Sequence, residues 1–277
     1  AAIGNTVTYC DLTAGNASCN GAPSGSSIDN QSVGTIVNVD VDGDTATFNS
    51  SSANLSVPSG STVRFAGLYW GGRSTSLSRG QVLFRTPASF GYSPVSANVI
   101  DTASGASNNY AAFADVTAAV AAAGNGTYFV GNVQTYTGLN GSTFNNSGAN
   151  CRDLNGDSCW GGWSLVVVYE NVTMGLRNIA IYDGYALVTG SPGVVIPVSG
   201  FLTPLSGPVS TRVGTVGWDG DRGLVGDQFF INGTAISDAN NPANDFYNAS
   251  ISDLGVNATS RNPTHLNTLG TEIDRYT

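Results

Sequence analysis

The chain has 277 residues, 41% of them apolar and only 10% charged, and its net charge of −9 comes from 17 Asp, 2 Glu and 10 Arg without a single Lys. So acidic a chain has no basic face for phosphate, which excludes nucleic-acid binding. Its apolar runs, such as Leu165–Tyr169, are far short of the roughly 20 residues of a membrane-crossing helix.

Thirty-six Gly, 57 Ser plus Thr and 27 Asn describe a chain that solvates itself with hydroxyls and amides. Evenly spaced Val, Ile, Phe and Tyr set it apart from a disordered polar tract. Strand patterns, alternating or β-branched, run in order over Gly34–Val41, Thr45–Asn49, Thr62–Trp70, Gln81–Phe84 and Val95–Ile100. They continue over Gly126–Gln134, Trp163–Glu170, Arg177–Ala186, Gly193–Pro197, Val209–Val216, Gln228–Ile231 and Tyr247–Leu254. Clusters of Gly, Pro, Asn and Ser separate them. One helix is expected over Phe113–Ala123, with Asp115 near its start and Gly124 and Gly126 to stop it. The stretch Ser142–Trp160 has no strand pattern and reads as a long loop. Residues 268–274 read as a strand cut short or leading into something further.

The expected fold is all-β, a β-sandwich or jelly-roll-like arrangement of many short strands with one short Ala-rich helix. Residues 1–60 read as an N-terminal strand region and residues 61–277 as the β-sandwich, with a soft subdivision near 192–208.

The start Ala1-Ala2-Ile3 has the small residues that signal peptidase leaves behind, as a trimmed chain would too, and it is the cysteines that make export the expectation. Cys10 and Cys19 form one close pair and Cys151 and Cys159 a second, each in a Gly/Asn/Asp-rich stretch. Two local disulfides are the expectation. Four free cysteines or a zinc site are the alternatives, and zinc is weak because neither pair has zinc-knuckle spacing and His265 is the only histidine. Eleven Asn-x-Ser/Thr sequons fit a Ser/Thr/Asn-rich surface as well as glycosylation.

Three acidic groups are candidate calcium ligands. Asp40, Asp42 and Asp44 surround Gly43, and Asp153, Asn155 and Asp157 surround Gly156, each with oxygen side chains at alternate positions. That spacing builds the first half of a calcium loop. Position twelve is Ser51 in one and Ser164 in the other, which excludes an EF-hand. The third group is Asp219 and Asp221 with Asp227 downstream. For each, an Asx-turn satisfying its own backbone is the competing reading. No other cofactor is indicated.

Catalytic signals are weak. There is no Gly-x-Ser-x-Gly elbow, His265 is alone, and no phosphate loop occurs. The pairs Trp70-Gly71-Gly72 and Trp160-Gly161-Gly162-Trp163 read as corner packing, or as an aromatic platform for sugar rings.

Six segments form a larger pattern: AGLYWGG (Ala66–Gly72), ADVTAAV with GNGTYFVGNV (Ala114–Val133), GWSLVVVYEN (Gly162–Asn171), LRNIAIYDGY (Leu176–Tyr185), GDRGLVGDQFFINGT (Gly220–Thr234) and DANNPANDFYNASIS (Asp238–Ser252). In this order they resemble the N-terminal head domain of large bacterial secreted and cell-surface proteins that carry DUF11-type, Ig-like repeats. The resemblance spans most of residues 60–277 and implies a surface location without a defined activity.

The expectation is therefore a non-enzymatic, extracellular or cell-surface structural or adhesive β-domain. It would be a subunit of an extracellular filament joined by strand addition, with Ala1–Tyr9 or Gly270–Thr277 as donor. Its partners would be copies of itself or other surface proteins. A glycan- or ligand-binding adhesin head and a secreted polysaccharide hydrolase are the alternatives.

Overall fold

A computed structural model of the chain describes residues 1–13, 19–30, 32–102, 108–139, 159–188, 190, 193–202, 205–207 and 209–277. The fold is all-β. One five-stranded antiparallel sheet has the order Ala2–Thr6, Gly161–Glu170, Thr62–Arg73, Asn109–Asp115, Val99–Thr102. A second has the order Arg261–Asn262, Ser50–Leu55, Gly126–Gly131, Gln81–Arg85, Ser93–Ser96.

The two sheets share one core. Ala66, Leu68 and Trp70 alternate inward from the longest strand, joined by Ala112, Ala114, Leu165 and Val167. Ala53, Leu55, Val82, Phe84, Tyr128 and Val130 meet them from the other sheet. Period-two alternation with one face buried fixes this register, because a slip of one residue would turn the apolar set to solvent. The buried indoles have polar partners: Trp163 Nε1 donates to Ser51 Oγ at 2.8 Å and Trp70 Nε1 to the Arg79 carbonyl at 2.9 Å. The glycines beside them are needed for close approach. A Cβ at Gly162 would fall 2.3 Å from Thr271 Oγ1 and 2.9 Å from the Asn5 carbonyl.

A smaller set of sheets adjoins the sandwich. Thr271–Tyr276 lies between Val213–Trp218, antiparallel, and Ile251–Asp253, parallel, with Val256–Asn257 at the edge. Thr35–Asn38 pairs with Thr8–Cys10 and Gly138–Leu139. Phe230–Ile231 and Thr234–Ala235 form a hairpin whose Asn232 and Gly233 both have positive φ, the preferred chemistry of a two-residue turn. A second core holds Tyr9, Val33, Ile36, Leu269 and the Cys10–Cys19 disulfide. Among the described residues no helix is long and apolar enough to cross a membrane.

Several elements differ from the sequence reading. Val95–Ile100 is two strands, Ser93–Ser96 and Val99–Thr102, which belong to different sheets. The expected helix begins as a strand, Asn109–Asp115, and only Thr117–Ala123 is helical. Tyr110, Ala112 and Ala114 face the core with strand spacing there, and cross-strand packing overrides alanine's helix preference. Thr45–Asn49 is irregular, and the strand is Ser50–Leu55. Residues 1–60 are not a separate region, since Ala2–Thr6 and Ser50–Leu55 each complete a sandwich sheet.

Candidate functional site

Two features stand outside the demands of the fold. The first is the run 172–212, which carries no helix or strand among its described residues. The expected strands Arg177–Ala186 and Gly193–Pro197 lie here, unpaired. Tyr182 ties its two legs, donating to the Ser199 carbonyl at 2.8 Å and accepting from the Ser199 N–H at 3.2 Å. Leu176, Val188, Ile196 and Leu205 are exposed, Val195 is 90% exposed and Leu202 is 89% exposed. The run holds only three charged residues, Arg177, Asp183 and Arg212. An apolar, nearly uncharged, β-patterned segment in open solvent is what marks an interaction surface.

The second feature is an acidic pocket. The turn after Trp218 brings in Asp221 and Asp227, the segment before Tyr247 brings in Asp245, and the strand Thr271–Tyr276 brings in Glu272 and Asp274. Glu272 has no solvent exposure and Asp274 has 1%. Burial is the main cause of their raised carboxyl pKa values: Glu272 goes well above the ordinary range, and Asp221 and Asp274 are pushed up to about 7. Neighbouring carboxylates add to this, Asp29 first, then Asp227 and Asp245, on Asp221, and Asp274 and Asp227 on Glu272. Arg222 is close, but its guanidinium donates to the carbonyls of Asn248, Gly25 and Leu266.

Of the three sequence-derived metal groups, this pocket gathers two of its predicted residues, Asp221 and Asp227. Asp219 Oδ1 instead accepts from Asn30 Nδ2 at 2.8 Å. Asp245, Glu272 and Asp274 escaped the sequence reading because they lie on separate segments. The usable signal was the pair of carboxylates, Glu272 and Asp274, set at alternate positions in a short strand pattern. In the first group, Asp42 accepts from Tyr92 Oη at 2.7 Å and Ser50 Oγ at 2.9 Å and pairs with Arg85 at 3.1 Å. Burial lifts the Asp42 carboxyl, yet these partners bring it below its ordinary value. Ser50 also donates to Asp40 Oδ1, and Asp44 Oδ1 accepts from the Ala46 N–H, so this turn spends its oxygens on itself and on Arg85. The group Asp153, Asn155, Asp157 lies outside the described residues. Among the described residues no group of three or more His, Cys, Asp or Glu side chains stands ready to hold a metal ion.

The Cys10–Cys19 bridge is present with a Cα–Cα distance of 6.0 Å. Cys159 is also disulfide-bonded, and Cys151 lies outside the described residues. Trp70, Trp160 and Trp163 are buried, which removes them as a sugar platform. His265 stacks on Tyr9 with ring centroids 3.9 Å apart, away from any serine–carboxylate pair in the recorded hydrogen bonds. Both proposed strand donors are occupied within the chain: Ala2–Thr6 pairs with Gly161–Glu170, and Thr271–Tyr276 has a strand on each side.

Comparison with protein-family models, with curated proteins and with solved structures finds no match.

Proposed function

We propose that this chain is an extracellular or cell-surface structural β-domain that works by contact and assembly, without turning over a substrate. The observation that carries this reading is the run 172–212, which holds strand-patterned apolar side chains in open solvent. Low charge along the run supports it, because little repels an approaching sheet edge or a second apolar face. The disulfides fit an oxidising compartment. The resemblance to heads of large bacterial surface proteins points the same way.

The donor of contact is therefore moved from the chain ends, which the fold consumes, to this internal run. Its partner is another copy of the chain. Sedimentation and electron microscopy of the purified full chain test this. The expected result is concentration-dependent oligomers or filaments. Val195→Asp and Leu202→Asp should each disperse them while leaving the melting temperature unchanged, since both side chains are solvent-facing in the monomer. A parent chain that stays monomeric at high concentration, or oligomers that survive both substitutions, would overturn the reading.

A further inference from the structure

Three carboxylates in the acidic pocket share one pattern. In each, one oxygen is held by a backbone N–H: Asp227 Oδ2 by Tyr247, Asp245 Oδ2 by Gly223, and Glu272 Oε1 by Ala249. In each, the other oxygen, Asp227 Oδ1, Asp245 Oδ1 or Glu272 Oε2, is buried without a hydrogen-bond partner. Asp221 stands beside them with Oδ1 accepting from the Asn30 N–H at 2.8 Å. The Glu272 carboxyl is pressed against the turn that carries Asp221, for a Cβ at Gly220 would fall 2.0 Å from Glu272 Oε1.

A buried carboxylate oxygen without a partner is costly, and several in one place need a shared explanation. The ion pairs recorded for the described residues are Arg64–Glu170, Arg85–Asp42 and Arg275–Asp253, and none is in this pocket. Arg222 is engaged with carbonyls. A proton on Glu272 would remove its own charge but leave the free oxygens of both Asp227 and Asp245 to be satisfied. One divalent cation would satisfy several oxygens at once.

We propose that Asp221, Asp227, Asp245 and Glu272 form a calcium site that ties the 219–227 turn and the 238–248 segment to the strand Thr271–Tyr276. The donor set is all oxygen, which suits a hard cation, and it comes from three separate segments that can each give a little. Calcium accepts six to eight oxygens in flexible geometry, whereas magnesium demands a near-ideal octahedron and keeps its water. The free oxygens need to be drawn in by the ion, consistent with the absence of a ready-made cluster.

The test uses the full chain, stripped with EDTA and then titrated with calcium chloride, with magnesium chloride as control. Calorimetry should show calcium uptake, and saturating calcium should raise the melting temperature by about 5–10 °C. Asp245→Asn, at a partly exposed position, should weaken calcium binding at least tenfold and cancel most of that rise. Glu272→Gln should hold its stability in EDTA, because the amide oxygen can still accept from the Ala249 N–H, yet lose the calcium response. If Glu272→Gln does not fold, Asp245→Asn decides alone. Absence of calcium uptake at millimolar ion, or uptake undiminished in Asp245→Asn, would overturn the proposal.

Discussion

His265 and Tyr9 stack at the junction of the N-terminal strands and the loop before Leu269, and Arg261 lies close enough to act on both rings. Burial first, and the Arg261 guanidinium second, lower the His265 pKa from 6.5 to about 4. The folded chain therefore holds this ring neutral where the unfolded chain would protonate it. Stability from this group is complete above pH 6.5 and is lost as pH falls through the window from 6.5 to about 4. His265→Phe keeps a ring on Tyr9 and removes the titration. Chemical denaturation across that window should show the variant losing less stability than the parent on acidification; parallel curves would count against the assignment. The sequence had marked His265 only as a solitary loop residue, since nothing local records the ring it would meet 256 positions earlier. The Trp–Gly pairs were more legible. A large ring next to a residue without a side chain signals close packing, and Gly162 against Thr271 and the Asn5 carbonyl supplies the reason. Asp221 and Asp227 were visible as an acidic turn, whereas Glu272 became part of the same pocket only through sheet topology.

Ala2–Thr6 shows how an element can be indispensable yet faint in sequence. AIGNT has no strong alternation, but Asn5 Nδ2 donates to the carbonyls of Ser52 at 3.1 Å and Pro263 at 2.9 Å, and Asn5 Oδ1 accepts from Arg261 Nη1 at 2.9 Å. One side chain thus joins the edge of the first sheet to two strands of the second. Asn5→Ala leaves these buried groups short of partners and should cost about 1–3 kcal/mol, read from the denaturation midpoint. A midpoint equal to the parent's would show that the bridge contributes little. The long strands Thr62–Arg73 and Gly161–Glu170 were readable, the first from the alternation of Val63, Phe65 and Gly67 with Arg64 and Ala66, the second from the unbroken apolar run Leu165–Tyr169 of a strand covered on both faces. Ser50–Leu55 was not, because Ser50, Ser51 and Ser52 are buried by hydrogen bonding and close packing rather than by hydrophobicity. Val95–Ile100 looked like one strand because a β-branched run carries no mark where the chain crosses between sheets.

At the scale of the whole molecule, the sandwich and its smaller neighbour are joined by the first and last strands. Gly4 lies against Ile273, where a Cβ would fall 2.4 Å from its Cδ1, and the Ala1 amine feels the charges of Arg275 and Asp253. The class of fold was legible from composition and strand spacing; this closure was not, because it depends on contact between strands of different sheets more than two hundred residues apart. It also means that the linear order of the chain is not what defines the fold. Residue 277 could be joined back to residue 1 by a short Gly-Ser bridge, and a new pair of ends opened between Gly193 and Val194, where no strand pairing would be cut. Such a circular permutant should fold and melt close to the parent, while its run 172–212 would be divided into two free tails. If the permutant folds but no longer associates, the same experiment separates the architecture of the domain from the contact it makes.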